Sequence, residues 1–231
     1  MHKTIGIVGG MSPESTLEYY RYITHAYTER FGDHAYPEII IYSVSFQPYI
    51  DWPKEGRWDL VAQGLGKAAE KLEAAGADFV IIATNTMHLV IEQVRATIGI
   101  PVLSLLDAVG EAVLDRGMST VGLLGTEFTM EQSFYRDALA RQGVTVLVPK
   151  ADDRKRVNAV IYDELVAGEI RDSSRAQFVS ICRNLVARGA EGVILGCTEI
   201  PLLITEADAR IPLFDTTTIH AEAALNYDVE S

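Results

Sequence analysis

Gly76-Ala77-Asp78-Phe79-Val80-Ile81-Ile82-Ala83-Thr84 returns without a gap as Gly189-Ala190-Glu191-Gly192-Val193-Ile194-Leu195-Gly196-Cys197. In each copy a glycine and an acidic residue lead into a short apolar run, and a polar residue closes it. A run of that length, bounded by turn residues, reads as a buried strand of a parallel sheet. Upstream, Lys3-Thr4-Ile5-Gly6-Ile7-Val8-Gly9 resembles Ser119-Thr120-Val121-Gly122-Leu123-Leu124-Gly125. Each of these is followed by a helical stretch with a Tyr-Arg pair, Tyr20-Arg21 or Tyr135-Arg136. Downstream, Ile100-Pro101-Val102-Leu103 aligns with Ile211-Pro212-Leu213-Phe214. Matches in the same order and at roughly the same interval indicate one unit used twice.

Between the matches, strand and helix patterns alternate. Thr4–Val8 runs into Gly9-Gly10, and a helix follows from Ser12, a good N-cap, with Pro13 at the first helical position. Ile39–Ser43 and Phe79–Ala83 read as strands, Leu60–Ala75 and Met87–Ile98 as helices, and Val102–Leu103 begins a fourth strand. The second half opens at Thr120–Leu124 and ends with Leu213–Phe214 and a helix from Thr217. This alternation predicts βαβ units with right-handed crossovers. The expected fold is α/β: two pseudo-symmetric lobes, residues 1–117 and 118–231, each a parallel sheet flanked by helices. The C-terminal helix is free to cross to the other lobe.

Ligands of open parallel sheets bind beyond the carboxyl ends of the strands. In a duplicated fold that places the active site in the interlobe cleft. Thr84 and Cys197 end equivalent strands, so the repeat predicts that they stand on opposite sides of one small ligand.

The composition narrows the partners. A hydrophobic content of 48% over 231 residues supports full cores. A formal net charge of -12 argues against nucleic acid or an anionic membrane surface, which need a basic footprint. An anionic substrate would be repelled by that field and would need local donors such as backbone N–H groups. The apolar runs are far too short to span a bilayer, and a strand so near the N-terminus leaves no room for a signal peptide. The expectation is a soluble cytoplasmic protein. Its two distant cysteines make neither a disulfide framework nor a zinc site.

Cys197 lies in Gly196-Cys197-Thr198-Glu199, where a strand turns into the next segment. Unpaired amides there are expected to lower a thiol pKa from about 8.5; the plain alternative is a small buried hydrophobe. Thr84, in Thr84-Asn85-Thr86-Met87-His88, would by itself read as a helix cap. Paired with Cys197 it reads as the second group facing the ligand, with Asn85 and Thr86 as binding donors matching Thr198 and Glu199. Cys182 belongs to the core, because Phe178, Ile181, Cys182 and Leu185 follow helical spacing.

Gly9-Gly10-Met11-Ser12 is neither a Walker A loop nor a dinucleotide fingerprint. It reads as a turn that lets backbone approach a small carboxylate at Met11, with Gly125-Thr126 and Thr129 as its counterpart. His88 and His220 read as helix-terminus hydrogen-bond partners, although either could join a proton relay. No His-x-x-x-His spacing or acidic cluster suggests a metal. Asp152-Asp153 precede a helix as cap and dipole partners.

Together, Gly9–Thr16, Asn85-Thr86-Met87-His88, Gly196-Cys197-Thr198-Glu199 and Asp215-Thr216 with His220 resemble the aspartate/glutamate racemase family over nearly the whole chain. The resemblance implies a two-lobed enzyme, usually a homodimer, that needs neither pyridoxal phosphate nor metal. It implies two cysteines, one per lobe, that remove and return the α-proton of an amino acid from opposite faces. Here the first is Thr84, as in a branch associated with L-aspartate/L-glutamate or broad racemisation. Threonine is no useful free base, so Thr84 needs help from water or a neighbour such as His88 or Asp107.

An arginine that aspartate racemases carry after the second strand is missing from Phe46-Gln47-Pro48-Tyr49, where Gln47 stays as a binding candidate. A lysine they carry in the second lobe is Val166 here. Arg156 is the candidate replacement, against the plainer reading of a solvent-exposed arginine. The competing functions are an arylmalonate-type decarboxylase or cis-trans isomerase using the single cysteine, and an amino-acid-binding module without catalysis.

Overall fold

The computed structural model describes residues 2–229. By its internal contacts the chain forms two compact units. One takes the residues up to Ala108 and resumes at Thr217; the other is Val109–Thr216. The junctions therefore fall at 108/109 and 216/217, where the sequence reading set one boundary at 117/118.

The first unit contains β1 (Ile5–Gly9), α1 (Pro13–Phe31), β2 (Ile39–Ser43), α2 (Gln47–Lys54), α3 (Trp58–Ala74), β3 (Phe79–Ile82), α4 (Ile91–Arg95) and β4 (Val102–Leu103). Helix α5 (Leu105–Asp115) leads out of it. The second unit has β5 (Thr120–Leu124), α6 (Glu127–Glu131), α7 (Ser133–Arg141), β6 (Thr145–Leu147), α8 (Ala151–Asp163), α9 (Asp172–Val186), β7 (Gly192–Leu195), α10 (Ile200–Leu203), α11 (Glu206–Ala209) and β8 (Leu213–Asp215). Helix α12 (Thr216–Val229) then returns to the first unit.

Both sheets are parallel and share one topology, β2-β1-β3-β4 and β6-β5-β7-β8. Their register repeats as well. Val8 faces Ile82 as Leu124 faces Leu195, and Val80 faces Val102 as Val193 faces Leu213. These are the pairs that the sequence repeat aligns, so the duplication extends to individual backbone partners.

Local chemistry explains why the repeated residues recur. Gly76 and Gly189 take positive φ values of 99° and 103° as α3 and α9 end, a conformation that other residues adopt at a cost. Asp78 and Glu191 then accept the amides of Thr4 at 2.6 Å and Thr120 at 2.8 Å, which fixes where β1 and β5 begin. Gly6 and Gly122 let helices approach the sheets: a Cβ on Gly6 would lie 2.9 Å from that of Ala77, and one on Gly122 would lie 2.7 Å from Leu185 Cδ1.

In the first unit, strand alternation splits the core. Ile5, Ile7, Phe79 and Ile81 pack with α1 and α12, whereas Val8, Val80 and Ile82 pack with α3. Each such side chain, fully buried, stabilises by about 1.5–3 kcal/mol. On α9, Phe178, Ile181, Cys182 and Leu185 are all buried, as their spacing predicts.

Three local features differ from the sequence reading. Residues 87–98 do not form one helix: a 3₁₀ turn, Thr86–Val90, leads into the short α4. The Thr84 carbonyl accepts the His88 ring N–H at 2.8 Å, and the His88 amide goes to Asn85 O at 3.1 Å, which gives 3₁₀ rather than α geometry. Asp152 and Asp153 lie inside the first turn of α8 rather than before it, since the cap residue is Lys150. Helix α2 and strand β6 lacked a readable pattern.

Two buried histidines join the returning C-terminal helix to the first unit. His220 Nε2–H donates to Leu103 O at 3.2 Å, and its Nδ1 accepts from the Tyr19 hydroxyl at 2.8 Å. His88 Nε2 accepts the amide of Leu105 at 3.0 Å, at the start of α5. The two rings meet edge to face, with centroids 5.7 Å apart. His88 is the helix-terminus partner that the sequence suggested, whereas His220 joins a strand carbonyl to a tyrosine hydroxyl. Burial lowers His88 to about 4, and burial with the neighbouring His88 lowers His220 to about 3.

This sets a pH dependence of stability. Unfolded histidine takes up a proton below about pH 6.5, whereas the folded rings stay neutral well below that. Stability is therefore full above about pH 6.5 and falls by about 1.4 kcal/mol per pH unit for each ring as the pH drops. Urea unfolding at pH 7.5 and pH 5 should show a loss of roughly 3–4 kcal/mol, about half of it absent in His220→Gln. An unchanged midpoint would contradict this role.

Candidate active site

Each unit ends its central strands in a polar turn. In the first, the Ala83 amide bonds Val8 O at 3.0 Å, and in the second the Gly196 amide bonds Leu124 O at 2.7 Å. Thr84 and Cys197 follow immediately, both partly buried. The Thr84 amide closes onto Ile82 O at 2.8 Å. Around it, Ser15 Oγ donates to Ala83 O at 3.0 Å, Ser12 caps α1, and the Gly10 amide donates to Thr16 Oγ1 at 2.8 Å. Asn85 is buried and Thr86 partly so.

Two expected members of this group have other side-chain engagements. The Met11 side chain is only 4% exposed and packs in the α3-side core, which leaves the backbone of the turn as the part expected to meet a ligand. Gln47 is exposed at the start of α2 and gives its amide to both carboxylate oxygens of Asp51 at 3.0 Å. The glycine loop likewise has a packing reason, because a Cβ on Gly10 would lie 2.5 Å from Val44 O.

In the second unit, Cys197 Sγ donates to Glu199 Oε2 at 2.9 Å, and Thr198 Oγ1 donates to the same oxygen at 2.8 Å. Thr126 caps α6, its hydroxyl 3.1 Å from that of the buried Thr129, whose methyl packs against Gly125 and Gly196. Behind this turn, Thr216 Oγ1 donates to Leu195 O at 3.0 Å. Thr126, Thr129, Cys197, Thr198 and Glu199 are thus brought together. Arg156 is not: it is exposed on α8 and pairs with Asp153 at 3.4 Å, a contact of little energetic weight.

The expected lowering of the Cys197 thiol is overturned. Burial first, then the charge and the hydrogen bond of Glu199, raise it well above the ordinary thiol value. The amides of Glu199 and Thr198 pull the other way and lose. At rest the group is a thiol held against a carboxylate, with its proton already directed at an acceptor. Cys182, fully buried, is pushed up to about 12 by burial alone and has no such partner.

Sequence reasoning missed Tyr162. Its phenol is held above the usual tyrosine range by partial burial and then by the charges of Cys197 and Glu199. Its signal was the four-residue spacing of Arg154, Asn158 and Tyr162 on α8. Asn158 Oδ1 accepts the Glu127 amide at 2.8 Å, and Arg154 bonds Glu131 at 2.9 Å, so that face of α8 is fastened to α6. Among the described residues, no group of three or more His, Cys, Asp and Glu could hold a metal, and no helix is long and apolar enough to cross a membrane.

Comparison with known proteins places this geometry. The pattern of the Asp/Glu/hydantoin racemase family matches residues 8–224. The chain is 25% identical over 228 residues to the broad specificity amino-acid racemase RacX of Bacillus subtilis (strain 168), covering 96% of each chain. It is similar, with 42% identity and a TM-score of 0.95, to a solved Yersinia pestis protein provisionally assigned as an Asp/Glu racemase, covering 99% of this chain and 100% of that one. A solved aspartate racemase homologue from Pyrococcus horikoshii OT3 gives 39% identity and a TM-score of 0.87 over 99% and 100% of the two chains.

The two thiols should react differently. Iodoacetamide should label Cys197 only at higher pH than it labels a free cysteine, and should leave Cys182 unlabelled in the folded protein. Glu199→Gln removes the charge that adds to burial in raising the thiol, so its labelling midpoint should move to lower pH. A midpoint that stays put would show that Glu199 does not govern the thiol.

Proposed function

The chain belongs to the Asp/Glu/hydantoin racemase family, which makes it an isomerase and an amino-acid racemase, and we propose that it works by direct proton transfer between side chains and the substrate Cα. Cys197 and Thr84 act on opposite faces of that carbon, and the cycle uses neither pyridoxal phosphate nor metal. The observation that carries this reading is their equivalence: they follow paired strands of identical register in the two units. Support also comes from the Cys197–Glu199 contact of 2.9 Å.

The reaction starts with transfer of the Cys197 S–H proton to Glu199 Oε2. The thiolate then takes the α-proton, and the electron pair of the broken C–H bond passes into the substrate carboxylate as an enolate. A proton delivered from the Thr84 side returns to the opposite face, water resupplies the Thr84 hydroxyl, and Glu199 releases its proton to that water, which restores every group to its starting state. His88 does not serve as that relay, because both ring nitrogens are engaged with backbone groups. Asp107 instead faces Arg95 at 3.3 Å. The reverse reaction retraces these steps.

Asn85, Thr86, Thr126, Thr129 and Thr198 are the proposed binding donors. The substrate is L-aspartate, L-glutamate or a wider set of amino acids. Arg156 facing Asp153 at the surface and the exposed Val166 favour the wider set, since no cation is given to a side-chain carboxylate there. The same fold carries arylmalonate decarboxylase, and one thiol suffices for a decarboxylase, which protonates from a single face; release of CO2 from a disubstituted malonate would favour that reading. We further propose a cytoplasmic homodimer.

Incubation of L- and D-amino acids in D2O, followed by NMR, tests the mechanism. One enantiomer should exchange its α-proton faster than it racemises, because only the Cys197 face carries a strong base. Cys197→Ala should abolish exchange, whereas Cys182→Ala should cost at most about 1–2 kcal/mol of stability and leave turnover. Thr84→Cys should raise the slower direction. Equal exchange of both enantiomers, unaffected by Thr84→Cys, would leave Thr84 without a chemical role.

A second expectation concerns assembly. Leu17, Tyr20 and Phe31 on α1 are 64%, 48% and 49% exposed, and they supply apolar side chains that a second copy could cover. Sedimentation equilibrium should give twice the chain mass of 25.4 kDa. A monomer at micromolar concentration would reject the dimer.

A further inference from the structure

The described residues place one buried titratable group against the Thr84 turn that the proposed cycle leaves without a task. His88 is 2% exposed and lies one 3₁₀ turn beyond Thr84. Its two ring nitrogens meet different kinds of backbone group. Nε2 faces the amide of Leu105 at 3.0 Å, and an amide can only donate. Nε2 must therefore be the bare nitrogen, so the ring proton sits on Nδ1 and is donated to Thr84 O at 2.8 Å.

The tautomer is thus set by geometry. One rigid ring spans from the carbonyl of Thr84 to the first residue of α5, and it fixes the plane of the Thr84–Asn85 peptide. On the other side, the Thr84 amide is held by Ile82 O at 2.8 Å. The peptide groups before and after the Thr84 Cα are therefore both pinned, and the direction of the Cα–Cβ bond follows from them. The ring itself is held edge to face by His220, with Arg95 and Asp107 as the charged groups that face it.

We propose that His88 is a positioning residue for the reaction: through the Thr84 carbonyl it aims the Thr84 hydroxyl at the substrate Cα. This rests on the reading of Thr84 as the second proton-transfer group. It adds a specific dependence, that the Nδ1–H bond to Thr84, and not the Nε2 bond to Leu105, controls the proton transfer on the Thr84 side. His88 moves no proton itself. Misplacing a reacting group by about 1 Å can cost on the order of 100-fold in rate. The loss must fall on the step that uses Thr84 and spare the step that uses Cys197.

Two substitutions divide the ring. Asparagine places its amide N–H near the position of Nδ1 and keeps the bond to Thr84 O. Glutamine reaches the position of Nε2 and keeps the acceptor for Leu105. His88→Gln should slow the Thr84-side step by about 10- to 100-fold, with α-proton exchange at the Cys197 face within about twofold of wild type. His88→Asn should keep the Thr84-side step within about threefold, although it loses the Leu105 contact. Equal slowing of both steps in both variants, in proportion to the folded fraction, would overturn the proposal and leave His88 a structural group.

Should His88→Gln fail to fold, the wild-type protein still decides. ¹⁵N NMR of labelled histidine should show His88 neutral with the proton on Nδ1, and an Nε2–H tautomer would overturn the assignment. Thr84→Ala separates the two possible failures. If it leaves the Thr84-side proton transfer unchanged, the reading of Thr84 is wrong; if it abolishes that transfer while His88→Gln does not affect it, only the His88 proposal falls.

Discussion

The parallel pairing of β1 with β3, repeated as β5 with β7, ends both sets of strands at the same register. Backbone hydrogen bonds from Ala83 to Val8 and from Gly196 to Leu124 then fix the residue that comes next in each unit. A shift of one residue in either pairing would turn Thr84 or Cys197 to the other face of its sheet. The glycine–acid turns upstream hold that register, because Asp78 and Glu191 bind the amides at the starts of the neighbouring strands. The site residues are therefore set from both ends of a short strand.

The two turns are chemically unequal. On the second unit, burial and then the facing Glu199 raise the pKa of the thiol, whose proton points at the carboxylate. That suits a chain with a net charge of -12, in which a free thiolate would gain little from its surroundings. On the first unit the polar groups are hydroxyls and the Asn85 amide, and the nearby imidazoles are neutral and bonded to backbone groups and the Tyr19 hydroxyl. One turn pairs a thiol with a proton acceptor; the other offers donors and rigidity. The asymmetry of the proposed catalysis follows from this difference.

Much of this could be read from the sequence, for a physical reason. Apolar runs of strand length, the glycines at Gly76 and Gly189, and the helical stripe around Cys182 are local signals, and each appears where it was expected. Cys182 and Cys197 were separable because one follows helical spacing and the other ends a strand. Helix α2 was not readable, since it carries Pro48 and Pro53 within eight residues. Strand β6 is three residues with no clean alternation of burial. The placement of Met11 in the core, the contact of Arg156 with Asp153 and the rise of the Cys197 thiol all depend on tertiary neighbours that spacing does not reveal. The 3₁₀ turn after Thr84 depends on where one imidazole points, which no periodicity encodes.

The central claim, that Thr84 and Cys197 serve one carbon atom, is tested most directly by a crystal structure of Cys197→Ala with a bound amino acid that the wild-type protein exchanges in D2O. The account predicts that the substrate Cα lies within about 4 Å of Thr84 Oγ1 on one face and of the Cβ at position 197 on the other. An amino acid bound with Thr84 remote from Cα, or with both residues on the same face, would contradict it.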